Sequence, residues 1–219
     1  RDYGGAIASH DRWIGAVEAV SILWYKNIDA VVIQFISCSA SRKMLAPFVW
    51  NYFCSRNCGC GNCSTMTDDD DDDEVGLVQG PRSCTDYARY LLVLATTGEE
   101  PQTPRCQCPT PPLYLQWKGH SVTIVGIQKL AGEDEYDLIL FDPARSGAML
   151  EQSLTSSLEG RIGLAKAFQH IKKSSRDLLQ RDCQIILSTD RKGLTRDERD
   201  SFKRTYVVTA AEGKVRERM

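Results

Sequence analysis

The residues with the clearest chemical potential lie in one stretch, PPLYLQWKGHSVTIVGIQKLAGEDEYDLILFDP, residues 111–143. It carries His120 directly after Gly119, at the head of one strand-like run, and Asp142 at the end of the next. An imidazole in contact with a carboxylate is a general base with its orienting acid. The carboxylate fixes the ring tautomer and stabilises the imidazolium, which in turn holds a thiolate or delivers a proton. The two runs flank a polar loop of roughly 128–136, so they pair as an antiparallel hairpin. With the loop's midpoint near Ala131–Gly132, His120 falls opposite or almost opposite Asp142, and opposed residues share a face. Spacing alone leaves a structural ion pair as the alternative, and a slip of one residue would turn a side chain to the other face.

Such a pair needs a nucleophile, and the chain has nine cysteines. None precedes Trp13. Cys38 comes first and follows a strand in a Ser-rich turn, whereas thiolates are activated at helix N-termini or beside a base. Cys54, Cys58, Cys60 and Cys63, with Cys106 and Cys108 beyond, offer thiols at the irregular spacing C-x3-C-x-C-x2-C. Structural zinc sites repeat C-x2–4-C pairs, so reduced thiols in a loop are expected there, with zinc as the competing reading. The run Asp68–Asp73 lacks the spaced ligands and glycine of a calcium loop. No cofactor or metal is expected.

The elements that must position this pair follow from periodicity. Trp13, Ala16, Val17, Val20, Leu23 and Trp24 recur at helical spacing, which predicts an amphipathic helix on a core. Ala30–Phe35 reads as a short apolar strand, and Met44 to Phe53 as a second helix with Pro47 near its start, where a missing N–H is tolerated. From 54 to 110 the composition changes to cysteine, aspartate and proline, and an acidic homopolymer buries nothing. This stretch is expected to be a disordered surface insertion in which only Cys84–Ala95 can form a helix. Order returns at Pro112 with three strands, a helix over Arg161–Lys173 bearing Leu164, Phe168 and Ile171 on one face, a strand at Cys183–Thr189, a helix begun by the capping-box spacing Thr195 to Glu198, and a last strand near Tyr206–Thr209. The expected class is α+β with a largely antiparallel sheet flanked by helices, in one partial domain over 1–219.

Bulk properties narrow the function. Net charge is −2, from 27 basic and 29 acidic residues, which leaves no electrostatic footprint for nucleic acid. No apolar run is long enough to span a bilayer. The opening RDYGGAIASHDRW has neither a basic n-region nor an apolar h-region, which suggests a soluble protein of the cytoplasm and/or nucleus. Beginning at Arg1 suggests a fragment. His10 and His170 read as surface residues, and Trp13, Trp24 and Trp50 as core.

The motifs Trp13-Ile14-Gly15-Ala16, Leu113-Tyr114-Leu115-Gln116, Gly119-His120-Ser121, Thr123-Ile124-Val125-Gly126-Ile127 and Phe141-Asp142-Pro143 resemble the zinc-finger-containing ubiquitin peptidases and the related ubiquitin-fold-modifier-specific proteases. The resemblance covers residues 10–53 and 112–212. It implies a papain-like fold, incomplete at the N-terminus, and hydrolysis of isopeptide bonds at the C-terminus of ubiquitin, polyubiquitin or a ubiquitin-like modifier, with His120 and Asp142 as catalytic base and orienting acid. In the family the nucleophilic cysteine lies on a helix N-terminal to the Trp-Ile-Gly-Ala segment, a position this sequence does not include. The resemblance therefore also allows an inactive fragment or a binding module for ubiquitin-like proteins. Trp117, Lys118 and Val122 stand where family members usually carry polar residues.

Overall fold

The computed structural model describes residues 14–36, 39–54, 83–99, 110–130, 135–178, 182–188, 207–211 and 214–218. Trp13, His10, Cys38, the aspartate run and the capping box at Thr195 lie outside them.

Among the described residues, the centre of the fold is one eight-stranded sheet. Its strands are β1 (Ala30–Phe35), β2 (Leu113–Trp117), β3 (His120–Lys129), β4 (Tyr136–Phe141), β5 (Lys172–Ser174), β6 (Cys183–Ser188), β7 (Val207–Ala211) and β8 (Lys214–Arg218). They are ordered β5-β4-β3-β2-β6-β1-β7-β8, and every neighbouring pair is antiparallel except β1 with β7. This is the α+β, largely antiparallel architecture expected from the sequence.

Alternation along the strands sorts the core into two faces. Val31, Ile33 and Phe35 of β1, Leu113, Leu115 and Trp117 of β2, and Ile185 and Leu187 of β6 form the larger cluster. Ala30 and Val32, with Ile186, form the smaller one on the opposite face. The smaller face is covered by α1 (Ala16–Tyr25), which buries Ala16 and Val20. Trp24 fastens α1 to the sheet by donating its indole N–H to the Ala30 carbonyl at 2.8 Å. The larger face is covered by α2 (Ser39–Cys54) and α3 (Cys84–Thr97). The second helix thus begins several residues before Met44, and Pro47 sits in its interior rather than near its start. There the carbonyl one turn back has no N–H to accept.

Within the 54–110 stretch, the described residues show that the anticipated helix is built into the core. Leu91 and Leu92 of α3 are fully buried, with Cys84, Tyr87 and Ala88 beside them. Its first turn is tied to the α1–β1 corner. The Cys84 backbone N–H donates to the buried Asp29 carboxylate at 2.7 Å, and its thiol donates to the Asp29 carbonyl at 3.1 Å. Ser83 caps the helix by accepting the Asp86 N–H, and Gly98, at φ 74°, ends it.

The region after β4 departs from expectation. In place of one helix over Arg161–Lys173 there are the short helix α5 (Leu164–Phe168) and the start of strand β5, with α4 (Gly147–Leu158) before them and α6 (Ser175–Leu178) after. Leu164 of the presumed apolar face is 62% exposed, so its periodicity did not report burial. Ile171 is buried, but from a turn leading into β5.

Candidate active site

The β2–β3 hairpin positions the histidine. Trp117 and His120 are the last opposed pair of the ladder, leaving only Lys118 and Gly119 to turn the chain. Gly119 adopts φ +73°, a conformation that is costly for residues with a Cβ. His120, Val122 and Ile124 alternate onto the larger core face, where Val122 and Ile124 are buried. His120 stands at the rim of that face with its side chain 28% exposed.

The aspartate reaches it from the neighbouring strand through an irregular register. Lys129 pairs with Tyr136 and Gly126 with Ile139, but past a bulge at Val125 the partners become Ile124 with Leu140 and Thr123 with Phe141. Continued by one residue, this register sets Asp142 opposite Val122, on the same face as His120 and diagonal to it. Had the loop-proximal register run on unbroken, Asp142 would oppose Thr123, on the other face. The pair is almost opposite, as the hairpin reading expects, and it is the one-residue bulge that returns Asp142 to the face of His120.

The contact itself is close. His120 Nε2–H donates to Asp142 Oδ1 at 2.9 Å. The same oxygen accepts the Ala144 backbone N–H at 2.9 Å, and the Arg145 N–H donates to the Asp142 carbonyl, an Asx-turn that locks the carboxylate in place. Partial burial pushes the Asp142 carboxyl up. The Ala144 N–H, the His120 hydrogen bond and charge, and the Arg145 charge outweigh it, so the group sits below its ordinary 3.8. It is therefore an anion across the physiological range. With Nε2 committed to Asp142, Nδ1 is the ring nitrogen available for a thiol, a water or a leaving amine. Asp142 also borders a surface cavity of about 540 Å³ walled by Phe141, Met149 and Ile171, with Arg145 and His170 at its edge.

The sequence reading did not assign roles to the Asx-turn or to Trp117. The first had a signal in the Asp-Pro-Ala-Arg turn following the strand. Trp117 had been noted only as a departure from the family's usual residue. Its ring centroid lies 4.9 Å from that of His120.

None of the three described thiols is suited to be the nucleophile. Cys183 shares a row with Trp117 and His120, but two strand spacings, roughly 10 Å, separate it from the histidine. Burial, with the Asp182 charge added, pushes its thiol up to about 12. The Cys84 thiol is turned into the Asp29 carbonyl. Cys54 closes α2 at the C-terminal end, where the helix dipole disfavours a thiolate. Cys58, Cys60, Cys63, Cys106 and Cys108, which raised the zinc alternative, lie outside the described residues. Among the described residues no cluster of three or more His, Cys, Asp or Glu side chains could hold a metal, and no helix is long and apolar enough to cross a membrane.

The chain is 31% identical over 91 residues to zinc finger-containing ubiquitin peptidase 1 of Mus musculus, a match covering 41% of this chain and 15% of that protein. It is 29% identical over 91 residues to the protein of the same name from Macaca fascicularis, with the same coverage. The aligned part thus spans a small fraction of these relatives' length. A model of peptidase family C78 matches residues 2–183, from near the first residue to the start of β6, and the chain belongs to that family of papain-like cysteine peptidases.

Proposed function

We propose that His120 and Asp142 are the general base and its orienting acid in thiol-dependent hydrolysis of isopeptide bonds at the C-terminus of ubiquitin or a ubiquitin-like modifier. The observation that carries this reading is the 2.9 Å contact from His120 Nε2 to Asp142, which leaves Nδ1 presented at the rim of the sheet. The names of the relatives support the substrate class.

The chemistry follows from that geometry. A cysteine thiol loses its proton to Nδ1, and the thiolate adds to the carbonyl of the modifier's terminal glycine. The tetrahedral intermediate collapses as Nδ1–H passes its proton to the departing lysine amine, leaving a thioester. Nδ1 then removes a proton from water, the resulting hydroxide adds to the thioester, and the thiol leaves with that proton. Asp142 holds Nε2–H throughout and stabilises each imidazolium stage. A reduced cytoplasmic or nuclear setting suits such a thiol.

A second reading, binding of a ubiquitin-like protein without cleavage, is favoured by one observation: none of the described cysteines is suited to attack. An electrophilic probe carrying the ubiquitin C-terminus, applied to the protein in its longest natural form, separates the two. Covalent labelling that disappears in His120→Ala supports the peptidase. Probe binding without a covalent adduct supports the binding module, and labelling undiminished in His120→Ala sinks the assignment of the base.

A further inference from the structure

We propose that Trp117 is a positioning residue for His120, its indole holding the face of the imidazole while Asp142 holds its edge. The proposal rests on the reading of His120 as general base and deepens it.

A single hydrogen bond at Nε2 does not fix an imidazole. The terminal torsion of histidine is broad and roughly two-fold, and at 28% side-chain exposure the ring has solvent to turn into. A turn of the ring moves Nδ1 away from the place where a thiol or amine must meet it. A second contact, on the face of the ring, removes that freedom. The hairpin supplies it, since Trp117 is the residue directly opposed to His120, with ring centroids 4.9 Å apart and planes inclined by 50°. Such tilted pairs are favourable arrangements of two aromatic rings.

Trp117 is itself immobilised. It is 7% exposed and belongs to the same core cluster as Leu115, Val122, Leu140 and Cys183. The ammonium of Lys173, on β5, lies 5.7 Å from its ring centroid, within the range of a cation–π contact. The period-2 pattern that buries Leu113 and Leu115 continues to Trp117, so the clamp is an extension of the core to the edge of the site.

The test uses the imidazole nitrogen resonances of the neutral ring, which require no turnover. The chain has only three histidines, and His120→Gln identifies the relevant pair. In the parent, His120 should show one well-separated pair, a protonated Nε2 and an unprotonated Nδ1. Trp117→Ala and Trp117→Leu should draw the two shifts together as the ring samples both tautomers, and Trp117→Phe, which keeps a flat face, should restore most of the separation. Trp117→Leu carries the test if the alanine variant does not fold. A leucine or alanine variant that is folded by circular dichroism and keeps the parent's shifts overturns the clamp but leaves the His120–Asp142 reading intact. A parent that already shows averaged shifts overturns both. Probe labelling undiminished in His120→Ala defeats the catalytic reading while the nitrogen shifts remain as measured.

Discussion

Replacing Asp142 with alanine should separate the chemistry of this site from its stability more cleanly than any other single change. The side chain accepts two hydrogen bonds at 2.9 Å, from His120 Nε2 and from the Ala144 backbone. A net contribution of about 0.5–1.5 kcal/mol is usual for each. The pair with His120 belongs at the low end, because the two side chains keep 28% and 18% of their exposure. Removing the carboxylate also relieves its desolvation, so the total loss should be about 1–2 kcal/mol. For a domain of this size that is a fall of a few degrees in Tm. The chemical cost should be far larger, since a base without its orienting acid loses tautomer and direction. About 10⁴-fold in kcat is the scale for such a loss.

The pH dependence of the stability difference has a definite sign. Asp142 titrates below its ordinary 3.8 in the folded chain. The carboxylate therefore contributes stability above that ordinary value, and the contribution is lost as pH falls through the lower, folded value. Parent and Asp142→Ala should differ most at neutral pH and converge in acid. The measurements are urea unfolding of both proteins between pH 7 and pH 3, and labelling by the ubiquitin-tail probe at neutral pH. A variant that labels within about threefold of the parent would refute the role of Asp142. A stability gap that widens toward low pH would refute its charge state.

Three further outcomes follow from the fold. Gly119→Ala meets no atom within 4 Å of the added Cβ, so its cost should be backbone strain alone at φ +73°, about 1–2 kcal/mol. Gly119→Asn should lose less, and equal Tm values for parent and alanine variant would contradict the turn geometry. Leu91→Ala, at a fully buried position of α3, should lose about 2–5 kcal/mol in chemical denaturation; a loss below about 1 kcal/mol would show that α3 is not part of the core. Cys183, its thiol pushed up to about 12 from 9.0, should react with iodoacetamide at pH 8 on the order of 10³-fold more slowly than an exposed thiol. Peptide mapping after native alkylation checks this, and a fast-reacting Cys183 would contradict its burial.

The parts of the site legible in the sequence were those written in residue type and alternation. His120 and Asp142 stand out because one heads an apolar run and the other follows the end of the next, and the runs themselves give the strands and their face. The bulge at Val125 was not legible. Val125 has the same strand-forming character as its neighbours, and only the ladder to β4 reveals which residue is extra. Beyond β4 the signals misled for a different reason. α4 buries no residue at all, so it has no apolar stripe to detect, while Leu164 mimics one without being buried. The strand Lys172–Ser174 carries no β-forming residue, and it exists because β4 offers it an edge. In the 54–110 stretch composition dominated the reading, although Tyr87, Ala88, Leu91 and Leu92 are spaced as one helical face.

What the sheet can and cannot supply also constrains where the reaction's thiol must come from. Three adjacent strands present Cys183, Trp117 and His120 in one row, which would be an economical way to place a thiol near a base. The arrangement fails on two counts. Trp117 fills the space between the two groups, and the burial that makes Cys183 part of the core also keeps its thiol protonated. A side chain deep enough to be held rigidly by this sheet is too desolvated to ionise, and one exposed enough to ionise must sit at the rim, as His120 does. His120 and Asp142, the proposed base and acid, meet that conflict with contacts to core elements, the Trp117 ring and the Asx-turn, while staying partly exposed. On the proposed reading, the thiol that meets Nδ1 comes from none of the described sheet positions and needs an element of its own to hold it as a thiolate. His120 and Asp142 are then assembled independently of the thiol, so loss of that single sulfur should leave the fold described above undisturbed.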